Sequence, residues 1–250
     1  YPLIALGGLL AIAVATVIIT VVLAYPKLPS LEVLTDYRPK VPLRIYTADG
    51  HLIGEFGEER RAVVGISQVP AIMKQAILAA EDDRFYQHGG IDYLGIARAA
   101  GSNLLSGGKR QGASTITQQV ARNFFLTSEK TYTRKLYEAL LSIKIENNLS
   151  KDQILELYMN QIFLGQRAYG FAAAAQIYFG KSLQNISIAE AAMLAGLPKA
   201  PSAYNPIANP SRARLRQQYV LRRMHELGFI TDLQHQAALK EPLVIKRELS

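Results

Sequence analysis

The 250-residue chain has no cysteine. Disulfides, thiolate metal sites and a cysteine nucleophile are therefore excluded, while the compartment stays open, because envelope proteins also do without cysteine. Tandem repeats and a low-complexity tail are missing too, which sets repeat architectures aside. No histidine-rich stretch or close-set group of carboxylates marks a metal site. Acids are in short supply, 20 against 28 lysines and arginines, and the net charge of +8 favours an anionic partner: nucleic acid, a membrane surface or a phosphorylated substrate. Charge of either sign is absent from residues 3–24, where Leu, Ile, Val and Ala dominate.

That uncharged run is long enough to span a bilayer core, which takes about 20 apolar residues, and too long for the roughly 7–15-residue hydrophobic region of a signal peptide. Residues 1–25 are expected to be a retained transmembrane anchor. No basic flank precedes the run, so orientation cannot be read from loop charge, and the natural N-terminus is expected upstream. Prolines 26, 29, 39 and 42 then argue for an extended linker. Arg44, Tyr46, His51 and Ile53 flank Asp49-Gly50, which predicts a two-residue hairpin turn within a small β-hairpin over 43–57, with a third strand near Ala62–Ile66. Linker and hairpin together make up residues 26–66.

From Pro70 the pattern is helical, and residues 67–240 read as one mainly α domain. Pro70 suits a first helical position of a helix running to Asp82. Asp92 caps a second helix ending near Leu105, and "SGGKRQGAS" is a loop. Ser114 caps a third helix toward Phe125, and a long helix runs over 131–147. Ser150 with Gln153, Ser187 with Glu190 and Thr231 with Gln234 are capping boxes. Asn209-Pro210 starts a basic helix that stops at Gly228. "GLPKAPSAYNPIANP" is a proline-rich loop between helices.

In "AAEDDRFYQHGG", Glu81 ends an apolar helix beside Asp82 and Asp83. Partial burial and like-charged neighbours raise a carboxylate pKa and would make Glu81 a general base or acid; a solvated acidic helix end is the alternative. In "TRKLYEALLSIKIE", Arg134 and Lys135 share a helix face with Glu138, either as part of a site or as a surface salt-bridge ladder. Glu146 and Glu156 compete with it. Residues 112–119 are small, hydroxylated and amide-rich and suit a sugar or phosphate. Arg122, Lys130, Arg134 and Lys135 add cations for an anion. Phe124, Phe125 and Leu126 beside them fit a membrane interface or a buried aromatic cluster equally well.

Five ordered blocks, "EDDRFYQHGG", "GASTITQQ", "RKLYEALLSIKIE", "KDQILELYMNQIFLG" and "RAYGFAAAAQIYFGK", resemble the peptidoglycan glycosyltransferases, glycosyltransferase family 51. More narrowly, the chain is similar to the N-terminal part of a bifunctional class A penicillin-binding protein of Gram-negative type. The resemblance implies a lysozyme-like, two-lobed α domain with a small β-hairpin behind one transmembrane helix, single-pass in the bacterial inner membrane with the catalytic domain periplasmic. It implies polymerisation of lipid II into β-1,4 glycan with inversion and release of undecaprenyl pyrophosphate. On it, Glu81 matches the general base and Glu138 the second essential glutamate. Gln119, Arg122, Lys130 and Lys135, with Arg134 beside them, fall where donor phosphates bind, and Phe85, His88, Ser114 and Thr115 match cleft-lining positions. The implied partners are lipid II, the lipid-linked glycan strand, the cytoplasmic membrane, and other cell-wall synthesis proteins or an outer-membrane activator; nucleic acid is not among them. No cofactor is certain, and a divalent cation, Mg or Mn, at the pyrophosphate is left open. Residues 241–250 would begin the linker to a transpeptidase region. "SGGK" at 106–109 is a chance match to a transpeptidase motif, and no K-T-G occurs. A membrane-anchored lytic enzyme and a non-catalytic wall scaffold are the rival functions.

Overall fold

A computed structural model describes residues 2–35, 43–56, 59–106, 114–126 and 131–246. The first helix, α1 (Pro2–Ala24), is followed by a 3-10 turn at Tyr25–Lys27 and the short α2 (Glu32–Thr35), so the expected extended linker contains two helical turns. Many α1 side chains lie outside the described ones, and among the described residues no helix is long and apolar enough to cross a membrane.

The hairpin forms from β1 (Leu43–Tyr46) and β2 (Leu52–Phe56), antiparallel with a bulge between Ile45 and Tyr46. Its turn is longer than the two residues expected. Thr47 N donates to His51 O (2.8 Å), Gly50 N donates to Thr47 O (2.9 Å) and Gly50 has φ +87°, so the loop is Ala48-Asp49-Gly50 with glycine in the left-handed position. Thr47 selects this form, because its Oγ1 accepts from His51 N at 2.8 Å. The expected third strand is also corrected. It is β3 (Arg60–Arg61), and it pairs in parallel with β4 (Ala168–Tyr169) rather than with the hairpin. Residues 62–66 instead run beside Asn160, whose side chain holds both the N–H and the C=O of Val64.

The helical body comprises α3 (Ala71–Glu81), α4 (Tyr93–Ser106), α5 (Ile116–Phe125), α6 (Tyr132–Glu146), α7 (Lys151–Gln161), α8 (Phe171–Phe179), α9 (Ile188–Gly196), α10 (Pro210–Glu226) and α11 (Asp232–Lys240). Pro70 is the residue before α3 rather than its first. The three capping boxes at Ser150, Ser187 and Thr231 form as their spacing requires. The cap of α5 is Thr115, not Ser114: Thr115 Oγ1 accepts from Gln118 N and the Gln118 side chain returns to Thr115 N. One apolar core joins α3, α5, α6, α7, α8, α9 and α10. The described side chains of α4 stand apart from it. Of its described side chains only Ala99 is buried, outside that core, while Tyr93, Leu94 and Ile96 are exposed.

Candidate active site

The end of α3 is held by the residue after Glu81. Asp82 leaves the helix at φ −161°, and its buried carboxylate receives Ile116 N (3.0 Å) and pairs with His88 Nε2 (3.0 Å). Asp82 thus fastens the C-terminus of α3, the 85–90 loop and the start of α5 to one another. Thr115 adds a second tie, donating to Gly90 O at 2.7 Å. Gly90 has φ +90°, and a Cβ there would lie 2.9 Å from the Ser142 backbone, so only glycine lets the loop rest on α6.

Glu81 is thereby fixed at the wall of a cavity of about 300 Å³. Its Oε2 accepts from Gln119 Nε2 at 3.0 Å, and its Oε1 lies 3.6 Å from Arg216 Nη2 without a hydrogen bond. Burial pushes the carboxyl pKa up. The Gln119 hydrogen bond and then the charges of Arg216, Lys199 and Arg122 oppose this, and the net direction is upward. Ser114, Thr115, Gln119 and Arg122 line the cavity beside Glu81, with Lys199, Arg216 and Arg223. Burial and the neighbouring Arg216 charge lower the Lys199 pKa, against the pull of Glu81.

Glu138, on α6, is completely buried and does not line the cavity. Lys135 Nζ contacts its Oε2, and Arg134 Nε at 3.2 Å and Arg122 Nη1 at 3.9 Å face its Oε1. Lys135 also donates to Ser114 Oγ at 3.1 Å. This is no surface ladder. Helix α5 links the two acids, with Gln119 on Glu81 and, one turn on, Arg122 against Glu138. The competitors have other tasks: Glu146 accepts from Thr117 Oγ1 and Lys151 Nζ, and Glu156 accepts from Ile66 N at 2.7 Å.

Phe85 is fully buried in the core, with Lys151 Nζ 4.4 Å from its ring centroid, and neither it nor His88 lines the cavity. Phe124, Phe125 and Leu126 are half-buried against the core at the end of α5. Lys130 lies outside the described residues. Among the described residues no group of three or more histidine, aspartate or glutamate side chains is placed to hold a metal ion.

Sequence reasoning passed over Lys199, Arg216 and Arg223. A signal existed for Arg216: it falls on the buried stripe of α10 formed by Ala213, Gln217, Val220 and Met224, where a cation is out of place unless it has a task. Its guanidinium stacks over Tyr219 at 4.5 Å. Asp83 is the other surprise. It pairs with Arg223 Nη2 at 2.8 Å and Arg98 Nη2 at 3.4 Å, joining α10 to α4 at the cavity rim.

The transglycosylase family profile matches residues 49–225. Penicillin-binding protein 1A of Neisseria lactamica is 59% identical over 96% of this chain and 30% of the relative, and that of Pseudomonas aeruginosa is 51% identical over 87% and 26%. A crystal structure of penicillin-binding protein 1A from Haemophilus influenzae is 34% identical, with a TM-score of 0.49 over 84% of this chain and 22% of that one. The chain therefore spans about 30% of the length of the curated relatives it matches.

Proposed function

The chain belongs to the transglycosylase family, and on that premise we propose that it polymerises lipid II into β-1,4 glycan in cell-wall synthesis, with Glu81 as the base. The observation that carries this is the Glu81 carboxylate, raised in pKa by burial and set in a cavity wall among Arg122, Lys199 and Arg216. A sugar hydroxyl is a poor nucleophile at neutral pH, and a base of raised pKa meets that difficulty, contributing about 10²–10⁴-fold. Glu81 takes the proton from the 4-hydroxyl of the acceptor lipid II sugar. The oxygen bonds to C1 of the lipid-linked donor glycan with inversion. The C1–O bond to pyrophosphate breaks, and the electron pair leaves with undecaprenyl pyrophosphate.

Gln119 holds Glu81 by one oxygen and keeps the other directed. Arg122, Lys135, Arg134 and Lys130 are assigned to the donor pyrophosphate, where fixed cations stabilise the charge that develops on the leaving group. Glu138 holds three of them in place and so assists departure. Ser114 and Thr115 line the sugar path. Lys199 and Arg216 sit on the Glu81 side and are assigned to the acceptor end.

Both substrates are lipids, so the domain must work at a membrane. Helix α1 is 23 residues without a charge, about 34 Å at 1.5 Å per residue, against a hydrocarbon core of about 30 Å. We assign it as the single-pass anchor in the inner membrane, with a two-lobed, lysozyme-like catalytic domain on the periplasmic side. Phe124, Phe125 and Leu126 are assigned to the headgroup region. Other cell-wall synthesis proteins or an outer-membrane activator are the further partners this reading assigns.

Glu81→Gln keeps size and hydrogen bonding and removes basicity. Lipid II polymerisation is expected to fall at least about 10²-fold with folding retained. Near-normal turnover would move the base elsewhere, and fragments released from sacculi in place of growing polymer would make the protein a lytic enzyme.

A further inference from the structure

Where α10 packs on α9, Gly196 faces the stem of Arg216. A Cβ built on Gly196 would stand 2.8 Å from Arg216 Cγ and 3.7 Å from its Cβ. Carbon atoms in ordinary contact sit about 3.5–4.0 Å apart, so any side chain here would have to move the arginine stem by about 0.7 Å or more. Gly196 is buried at the end of α9, and its φ lies outside the left-handed region. The helix itself would accept alanine, so what glycine supplies at this position is room.

The stem has little freedom to give way. Cγ lies near the root of the side chain, where rotation of the outer bonds does not absorb a shift. Arg216 is buried, and its guanidinium lies 4.5 Å from the Tyr219 ring centroid and 5.9 Å from that of Tyr204. The next residue, Gln217, is completely buried and donates to Ala189 O at 2.7 Å, which ties α10 to α9. A push on Cγ would therefore pass outward to the guanidinium.

There it meets the base. Arg216 Nη2 lies 3.6 Å from Glu81 Oε1, and both residues line the cavity. Burial raises the Glu81 pKa, and the Arg216 charge is one of those that oppose it. Of the other charged groups on the cavity wall, Arg122 stands on α5, Arg223 is paired with Asp83, and Asp82 with His88. Lys199 follows Gly196 by three residues and is the other cation that a change there could disturb.

We propose that Gly196 is a positioning residue for the reaction: its missing side chain admits the Arg216 stem between α9 and α10 and so holds the guanidinium beside Glu81. This rests on Glu81 being the base. A cation at this range favours the ionised carboxylate, so displacing it leaves the base protonated to higher pH. Misplacing a group of the site by about 1 Å can cost on the order of 10²-fold in rate.

The test follows kcat/KM against pH for the full chain in lipid vesicles with lipid II as substrate. It compares the wild type, Gly196→Ala, Arg216→Ala, the double variant and Glu81→Gln. Arg216→Ala is expected to move the acid limb up by about one pH unit, and Gly196→Ala to move it in the same direction. Looser packing alone would lower the rate without moving the limb. Arg216→Ala also removes the Cγ that the new methyl would strike, so adding Gly196→Ala to it should leave rate and limb unchanged. An effect routed through Lys199 would persist in the double variant. If Gly196→Ala alone folds poorly, the Arg216→Ala limb and its match with the double variant still decide. A limb at the wild-type position in folded Gly196→Ala or in Arg216→Ala, or a further loss in the double variant, overturns the proposal. Activity retained in Glu81→Gln would instead overturn the assignment of the base, and the two failures are distinguishable.

Discussion

Replacing Glu138 by glutamine tests whether this buried acid is a structural keystone. The amide keeps the volume of the carboxyl and removes its charge. Three cations then surround a neutral group: Arg134 at 3.2 Å, Arg122 at 3.9 Å and Lys135 in direct contact. Removing one partner from a buried ion cluster costs about 3–5 kcal/mol. Here the low end applies, because Lys135 is 49% and Arg122 33% exposed, and water can re-solvate both. Arg134, at 13%, stays trapped against the amide. A loss of about 3 kcal/mol in a domain of this size lowers the melting temperature by about 6–12 °C. Lys135→Ala leaves both arginines on Glu138 and should cost about 1 kcal/mol or less. Differential scanning calorimetry at neutral pH measures both variants, and polymerisation is assayed well below either midpoint. A Glu138→Gln midpoint within about 2 °C of the wild type would refute the reasoning, since the cations would then not depend on the acid between them.

Two further outcomes are expected. The raised pKa of Glu81 means the folded state holds its proton to higher pH than the unfolded chain, so the stabilising contribution is complete below about 4.5 and is lost as pH rises through the folded value; the melting-temperature gap of Glu81→Gln over the wild type should therefore widen as pH is raised from about 4 to about 8, and a gap that does not change with pH refutes it. A chain starting at Lys40 should still bind anionic liposomes, and changing Phe124, Phe125 and Leu126 together to serine should abolish binding in flotation assays while leaving the helical circular-dichroism signal; a triple variant that binds normally but unfolds would place these residues in the core.

The helices were legible because their caps are local chemistry. Ser150, Ser187 and Thr231 each carry the acid or amide three residues on, and each caps. Thr115 with Gln118 carried the same signal one residue beyond the expected Ser114. The strands were less legible, because β3 finds its partner 108 residues away through Arg60 and Ala168, and no local pattern announces a parallel pair of two residues. In the site, Glu81 and Glu138 stood out by type and neighbourhood. Arg216 did not, because its value depends on α10 packing against α3, and Phe85 is buried while His88 pairs with Asp82, outside the lining of the described cavity. Burial separates Glu138 from an ordinary salt-bridge ladder, and spacing along one helix carries no burial.

The ion pairs around the start of α4 have a consequence for how the cavity rim responds to salt. Among the described side chains, Arg98 of α4 pairs with Asp83 at 3.4 Å, and Arg84 pairs at 3.4 Å with Asp92, the residue before α4, with Arg98 half exposed. Such links weaken as salt rises and the screening length contracts from about 10 Å at 0.1 M to about 3 Å at 1 M, whereas the apolar core does not loosen in this way. Raised salt is therefore expected to loosen these links at the cavity rim before it loosens the core.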